Sequence, residues 1–182
     1  MRIIAGEYRG RRLNPPTNLP IRPTTDLARE SLFNILRNKI DFDEISTLDL
    51  FAGTGSISFE FISRGVKQAT AVDSDQRCID FIKKSSNELE IDNLFALRSD
   101  AFIFLGRSQM NFDVVFADPP YDLKQINIIP DLVLKSFLKP NGLFILEHPK
   151  DFSFTNHKCF LEQRNYGKVN FTFFQITENI NQ

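Results

Sequence analysis

Tryptophan is missing from this 182-residue chain, and cysteine, methionine and histidine occur twice each. Cys78 and Cys159 lack metal-type spacing and are too few for a disulfide framework, so neither a zinc site nor any other metal is expected. No stretch approaches the ~20 apolar residues that a membrane helix needs. The arginines near the N-terminus are not followed by an apolar signal core. Together these absences point to a reducing cytoplasm and to a protein that works away from membranes. A monomer is expected. Net charge is small as well, at −1, which taken alone argues against a nucleic-acid binder. Its distribution argues the other way. Residues 1–39 carry eight basic side chains against three acidic ones, a surplus of five, which leaves −6 for residues 40–182. A basic arm on an acidic body is the asymmetry expected of a local contact with a polyanion.

What is present is enough chain for one domain over 1–182, with nineteen phenylalanines to fill its core. Residues 1–23 are rich in Arg, Gly and Pro and read as a small hairpin turning at a glycine, then an extended loop. Thr24, Thr25 and Asp26 offer an N-cap to a leading helix within 24–40, with Ala28, Leu32, Ile35 and Leu36 on one face. This region is either a solvated tail with a packing helix or an RNA-contacting extension. From residue 45 strands and helices alternate. Strands are expected at 45–51, 68–73, 94–98, 112–117 and 143–147, with helices at 55–64, 75–89, 101–105 and 125–138. Gly65 suits a C′ position, and residues 139–142 read as a turn. Two further runs, 158–164 and 168–176, flank Asn165-Tyr166-Gly167 and predict a closing antiparallel hairpin. The alternation implies an α/β, doubly wound, mostly parallel sheet.

The first strand runs through Asp49, Phe51, Ala52, Gly53 and Gly55 straight into a helix. Two glycines in such a turn let the backbone approach a ligand beyond the strand ends. Twenty residues after Gly53, Asp73 closes the second strand, followed by Ser74, where a carboxylate can accept both ribose hydroxyls. A dinucleotide fingerprint would place Gly or Ala at position 58, which is Ser. That favours a nucleoside with a sulfonium tail over a pyrophosphate and argues against a nicotinamide dehydrogenase. Asp100 and Ala101 follow the third strand; Asp100 reads as a partner for an adenine amino group or as the cap of its own helix. At the end of the fourth strand stand Asp118, Pro119, Pro120 and Tyr121. Two prolines must end the ladder, and a carboxylate, stiff carbonyls and a ring together suit an exocyclic amine on a flat heterocycle. His148 and His157, at a strand end and in a loop, read as structural, and Cys78 as a core residue of its helix.

At the fourth strand of a sheet with these earlier motifs, Asp118-Pro119-Pro120-Tyr121 resembles motif IV of the S-adenosylmethionine-dependent amino-methyltransferases. Four N-terminal segments narrow the resemblance: Arg2-Ile3-Ile4-Ala5-Gly6, Tyr8-Arg9-Gly10-Arg11, Arg22-Pro23-Thr24-Thr25 and Arg29-Glu30-Ser31-Leu32-Phe33. With Asp49 to Gly55 and Tyr166-Gly167, they make nearly the whole chain similar to the bacterial 16S rRNA guanine-N2 methyltransferase family. The resemblance implies a seven-stranded, Rossmann-like class I methyltransferase sheet with S-adenosyl-L-methionine as cofactor and S-adenosyl-L-homocysteine as product. It implies transfer to one guanine in the helix-31 loop of 16S rRNA, within an assembled or nearly assembled small ribosomal subunit. Asp118 and the carbonyl of Pro119 would hold the amine, and Tyr121 would stack on the base. Asp49, Phe51, Ala52, Gly53, Gly55, Asp73, Ser74, Asp100, Ala101 and Asp118 would line the cofactor site. Arg2, Arg9, Arg11, Arg12, Arg22, Thr24 and Thr25 would meet RNA. Asp73 and Ser85-Ser86-Asn87 depart from the familiar glutamate and Lys-Asn pair. Two other readings stay open: a DNA adenine-N6 or cytosine-N4 methyltransferase, and a cofactor-binding ribosome-assembly factor without catalysis.

Overall fold

Strand β1 (Ser46–Leu50) is buried at every position, as a central parallel strand covered on both faces must be. It sits within a seven-stranded sheet in a computed structural model that describes residues 1–17, 19, 25–167 and 169–176. The other strands are β2 (Gln68–Asp73), β3 (Leu94–Arg98), β4 (Phe112–Ala117), β5 (Leu138–Pro149), β6 (Phe160–Tyr166) and β7 (Val169–Gln175). Their order is β3-β2-β1-β4-β5-β7-β6, with β7 antiparallel to both of its neighbours and the remaining pairs parallel. Strand order reverses between β1 and β4, and ligands in open α/β sheets sit beyond the carboxyl ends of strands at such a point.

Side-chain alternation divides the core in two. On one face Ala69, Ala71, Val114, Phe116, Ile145, Phe171 and Phe173 pack with α1 (Asp26–Arg37), α2 (Ser56–Ser63) and α3 (Gln76–Glu88). On the other, Leu48, Leu50, Val115, Phe144 and Phe174 meet α4 (Ala101–Arg107) and α5 (Ile129–Ser136). The expected bounds of β2, β3 and β4 match the structure, and Gly65 is left-handed at φ +92° just past α2. The expected helix at 125–138 is shorter, a 3-10 turn at Ile126–Ile128 leading into α5 with Pro130 in its first turn. The expected turn at 139–142 is corrected: β5 already begins at Leu138, which pairs with Phe112 before the register shifts to Val114 with Leu143. Lys139 Nζ lies 2.7 Å from Asp113 Oδ2, which also accepts from Ser46 N and Oγ, and this clamp holds the segment in the sheet. Asn141, left-handed at φ +62°, takes up the irregularity.

The N-terminal arm is docked, not loose. Arg2 and Arg12 form an antiparallel bridge, and Ile3 and Leu13 are buried in the α1–α3 core. Glu60 accepts from Ile4 N at 2.5 Å, and Ser63 Oγ donates to Ala5 O and accepts from Tyr8 N. Gly6 lies so close that a Cβ there would be 1.6 Å from the Ser63 carbonyl oxygen; at Gly10 nothing lies within 4 Å, though both have positive φ. Gly6→Ala is therefore expected to lower the unfolding free energy by ~2–4 kcal/mol and Gly10→Ala by only ~1 kcal/mol. Denaturant titration of the two variants checks this; equal losses would contradict the docking.

Candidate active site

A cavity of about 330 Å³ opens at the carboxyl ends of β1, β2 and β4. Its position follows from strand register: Leu50 pairs with Val72 on one side and Ala117 on the other, so the segments after all three strands emerge together. After β1 the chain turns sharply through Phe51, Gly53 and Gly55, at φ +62°, +53° and +72°. Gly55 caps α2, and a Cβ on it would meet Ile82 at 2.9 Å. Only glycine suits that turn against α3.

Asp73 organises the loops. One carboxylate oxygen accepts from Gly53 N and the other from Asp75 N, both at 2.8 Å. Each oxygen keeps a lone pair for a ligand. Asp75 caps α3 and pairs with Arg77 at 2.5 Å; the hydrogen bonds from the Arg77 side chain hold its carboxyl down to about 2. Asp100 Oδ1 accepts from Phe102 N and Ile103 N, so the capping role expected of it is present while the residue also lines the cavity. Asp49 is the deepest of the carboxylates at 2% exposure. Its Oδ2 accepts from Ser58 Oγ at 2.6 Å and Ser58 N at 3.1 Å, which ties β1 to the first turn of α2. Burial pushes its carboxyl up to about 7, with the like charge of Asp73 adding and the Ser58 bonds opposing.

Of the expected cofactor residues, Asp49, Phe51, Ala52, Gly53, Asp73, Ser74, Asp100, Ala101 and Asp118 all line this cavity, while Gly55 shapes it from the helix cap. Of the expected amine-binding set, Asp118 and Pro120 are on the wall; Pro119 is buried behind it and half-buried Tyr121 stands off it. Thr54, Asp75, Cys78, Ser99 and Phe116 line it without having been anticipated. Phe116 was legible in principle, since alternation along β4 turns it to the same face as α2. Cys78 is 1% exposed, and burial pushes its thiol up to about 12, which keeps it protonated and inert. His148 is fully buried, bonded through Nε2 to Thr172 Oγ1 at 2.7 Å and through Nδ1 to Pro149 O at 2.8 Å, a structural role.

Of the expected RNA contacts, Arg9, Arg11 and Arg12 are exposed and make no ion pair among the described residues. Arg2 is exposed and lies 3.8 Å from Asp26, and Thr25 caps α1 by accepting from Ala28 N. Arg22 and Thr24 lie outside the described residues. Arg29, in one of the N-terminal motifs, is 1% exposed; it donates to Arg2 O at 2.7 Å and lies 3.5 Å from Glu60. Its role is to hold the arm.

The family described as conserved hypothetical protein 95 matches residues 1–175. Over 185 residues the chain is 35% identical to Ribosomal RNA small subunit methyltransferase D of Haemophilus influenzae, spanning 96% of this chain and 93% of that protein. The chain belongs to the ribosomal RNA small subunit methyltransferase D family. Solved structures agree with the fold. A putative methyltransferase, yhhF, from Escherichia coli has a TM-score of 0.85 at 30% identity, covering 96% of this chain and 97% of its own. A putative methylase, HI0767, from Haemophilus influenzae has a TM-score of 0.79 at 31% identity, covering 96% and 97%. The expected seven-stranded methyltransferase sheet with its antiparallel C-terminal strands is thereby established for this family member.

The Asp49 carboxyl sets a pH signature for the ligand-free protein. Its folded value, about 7, lies above the unfolded value, so its favourable contribution is complete below the unfolded value and is lost as pH rises to 7. Between pH 5 and 7 the wild type should lose stability relative to Asp49→Asn by up to ~1.4 kcal/mol per pH unit. Denaturation at several pH values checks this, and parallel curves would refute the assignment.

Proposed function

We propose that this chain methylates the exocyclic N2 amine of a guanine in the helix-31 loop of 16S rRNA, within the assembled or nearly assembled small ribosomal subunit. The methyl donor is S-adenosyl-L-methionine and the product S-adenosyl-L-homocysteine. One observation carries the reading: Asp118, in the segment that resembles motif IV, opens on the same cavity as the Gly53 loop and Asp73. An acceptor for an amine thus stands beside a loop and a carboxylate suited to a nucleoside. The family supports the substrate class, since the Haemophilus influenzae relative is named a ribosomal RNA small subunit methyltransferase. The choice of guanine N2 and of helix 31 rests on the resemblance of the N-terminal segments.

The residues present fit the cofactor. Asp73 keeps acceptor capacity for a pair of hydroxyls after bonding Gly53 N and Asp75 N. Phe51 and Phe102 stand edge to face, 6.5 Å apart, an apolar surface beside Ala101 for a flat ring. When bound, the cofactor supplies a methyl group on a positively charged sulfur, already activated toward displacement. What the chain must do is prepare the amine. A guanine amine is a poor nucleophile because its lone pair is delocalised into the ring. The Asp118 carboxylate and the Pro119 carbonyl accept its two hydrogens, draw the nitrogen toward a tetrahedral shape and free the lone pair. Tyr121 stacks on the extruded base, worth ~1–3 kcal/mol. A loop nucleotide costs least to extrude. Arg9, Arg11 and Arg12, exposed on an arm fixed to α2, meet phosphates nearby.

Asp118→Ala should keep cofactor affinity within several-fold and lose transfer to small subunits by ~100-fold or more. Calorimetry beside a filter assay with labelled donor measures both, and full activity would overturn the proposal. Binding of particles by the wild type with no transfer would favour an assembly factor instead, and methylated adenine or cytosine from DNA would favour a DNA enzyme. Replacing Arg9, Arg11 and Arg12 together by Ala should flatten the log–log salt dependence of RNA affinity by ~2 units. An unchanged slope would remove the arm from the interface.

A further inference from the structure

The cavity wall carries five carboxylates, Asp49, Asp73, Asp75, Asp100 and Asp118, and among the described residues no Lys, Arg or His. Four of them are accounted for. Asp75 is paired with Arg77 from outside the wall, Asp73 and Asp100 each accept two backbone N–H bonds, and Asp118 is half-buried at the rim. Asp49 differs. It is 2% exposed, both of its hydrogen bonds fall on Oδ2, and its Oδ1 accepts none among the described residues. Ser58 on α2 is neutral, and Phe116, its partner in register on β4, is apolar. Among the described residues the charged group acting on it is Asp73 on β2, of the same sign. A buried carboxylate facing a cavity, with only like charge around it, holds its proton until a cation enters.

We propose that Asp49 is the residue through which this cavity reads the charge of its cofactor, giving up a proton when the sulfonium form binds and retaining it when the neutral thioether is present. This rests on the reading of the site as a methyl-donor pocket. The methylated cofactor carries a net charge of +1 (sulfonium, ammonium and carboxylate), whereas the demethylated product is neutral overall. Methyl transfer forms a bond from the methyl carbon to the acceptor nitrogen and breaks the carbon–sulfur bond. The electron pair stays on sulfur, the nitrogen releases its surplus proton to solvent, and the charge that held Asp49 ionised is gone. Asp49 then takes a proton from solvent, and the product sits in a cavity no longer matched to it. Asp49 is a specificity residue in this scheme and touches no reacting atom. Burial, which pushes its carboxyl up to about 7, places the exchange near neutral pH.

Isothermal titration calorimetry of the full chain, with S-adenosyl-L-methionine and S-adenosyl-L-homocysteine in turn, tests this between pH 5.5 and 8. Two buffers of different ionisation enthalpy count the protons released. The expected result is release of up to one proton with the sulfonium compound near pH 6 and less with the thioether. Sulfonium affinity should then fall ~10-fold or more from pH 7.5 to 5.5 while thioether affinity changes ~3-fold or less. In Asp49→Asn, which can still accept from Ser58, the pH dependence and the preference for the cation should both shrink. Equal proton release by the two compounds, or a variant that keeps the wild-type pH dependence, would overturn the proposal. If Asp49→Asn does not fold, proton counting on the wild type decides alone. If neither compound binds the wild type, the methyl-donor reading itself falls, an outcome distinct from equal binding of both.

Discussion

The hydrogen bonds from Ser58 to Asp49 hold the first turn of α2 against the end of β1, and most of what makes a site here follows from that junction. α2 is buried from Ile57 to Ser63, so each polar residue on it must find a partner inside the protein. Ser58 takes Asp49 and so shapes the floor of the cavity. Glu60 takes Arg29, Arg64 and the backbone of Ile4. Ser63 takes the backbone of the arm at Ala5 and Tyr8. One short helix therefore fixes the Gly53 loop at its N-terminus and the arginine arm along its length. The arm's register against the cavity is set by buried polar bonds, where loss of one partner leaves a charge or donor unmatched.

The electrostatics of the two regions that α2 fixes are of opposite sign. The cavity gathers carboxylates, some satisfied by backbone N–H groups and one, Asp49, held in an apolar wall beside another acid. The N-terminal region gathers arginines: Arg29 of α1 is drawn inside to neutralise Glu60, while Arg9, Arg11 and Arg12 of the arm remain in solvent. On the proposed function, the carboxylate-lined cavity takes a cationic small molecule and the exposed arginines meet a polyanion. That separation of charge would let a chain of net charge −1 serve both proposed partners.

Much of this was legible from local pattern. β2, β3 and β4 are apolar runs bounded by charged or turn residues, and their ends were read to the residue. The Gly53 loop and Asp73 were placed by chemistry and spacing, and the structure joins them through a 2.8 Å bond. Long-range pairing was not legible. Nothing in periodicity links Arg29 to Glu60 or Ser63 to Ala5, although Ser58, Glu60 and Ser63, set among Ile57, Phe59, Phe61 and Ile62, signal that partners must exist. Pro140, Asn141 and Gly142 spell a turn; within β5 they form an irregularity that pairs with no residue of β4, between the pairs Phe112–Leu138 and Val114–Leu143. Asp100 shows how one residue keeps two readings: its cap bonds are present, and so is its place on the cavity wall.

On the proposed function, a fixed arm delivers one unpaired guanine of small-subunit RNA to Asp118. The most direct measurement offers labelled S-adenosyl-L-methionine to unmethylated small subunits and to naked 16S rRNA and maps the modified nucleotide. A single N2-methylguanosine in the helix-31 loop is expected, formed on the particle far better than on naked RNA. Label at another nucleoside, or spread over many positions, would contradict it.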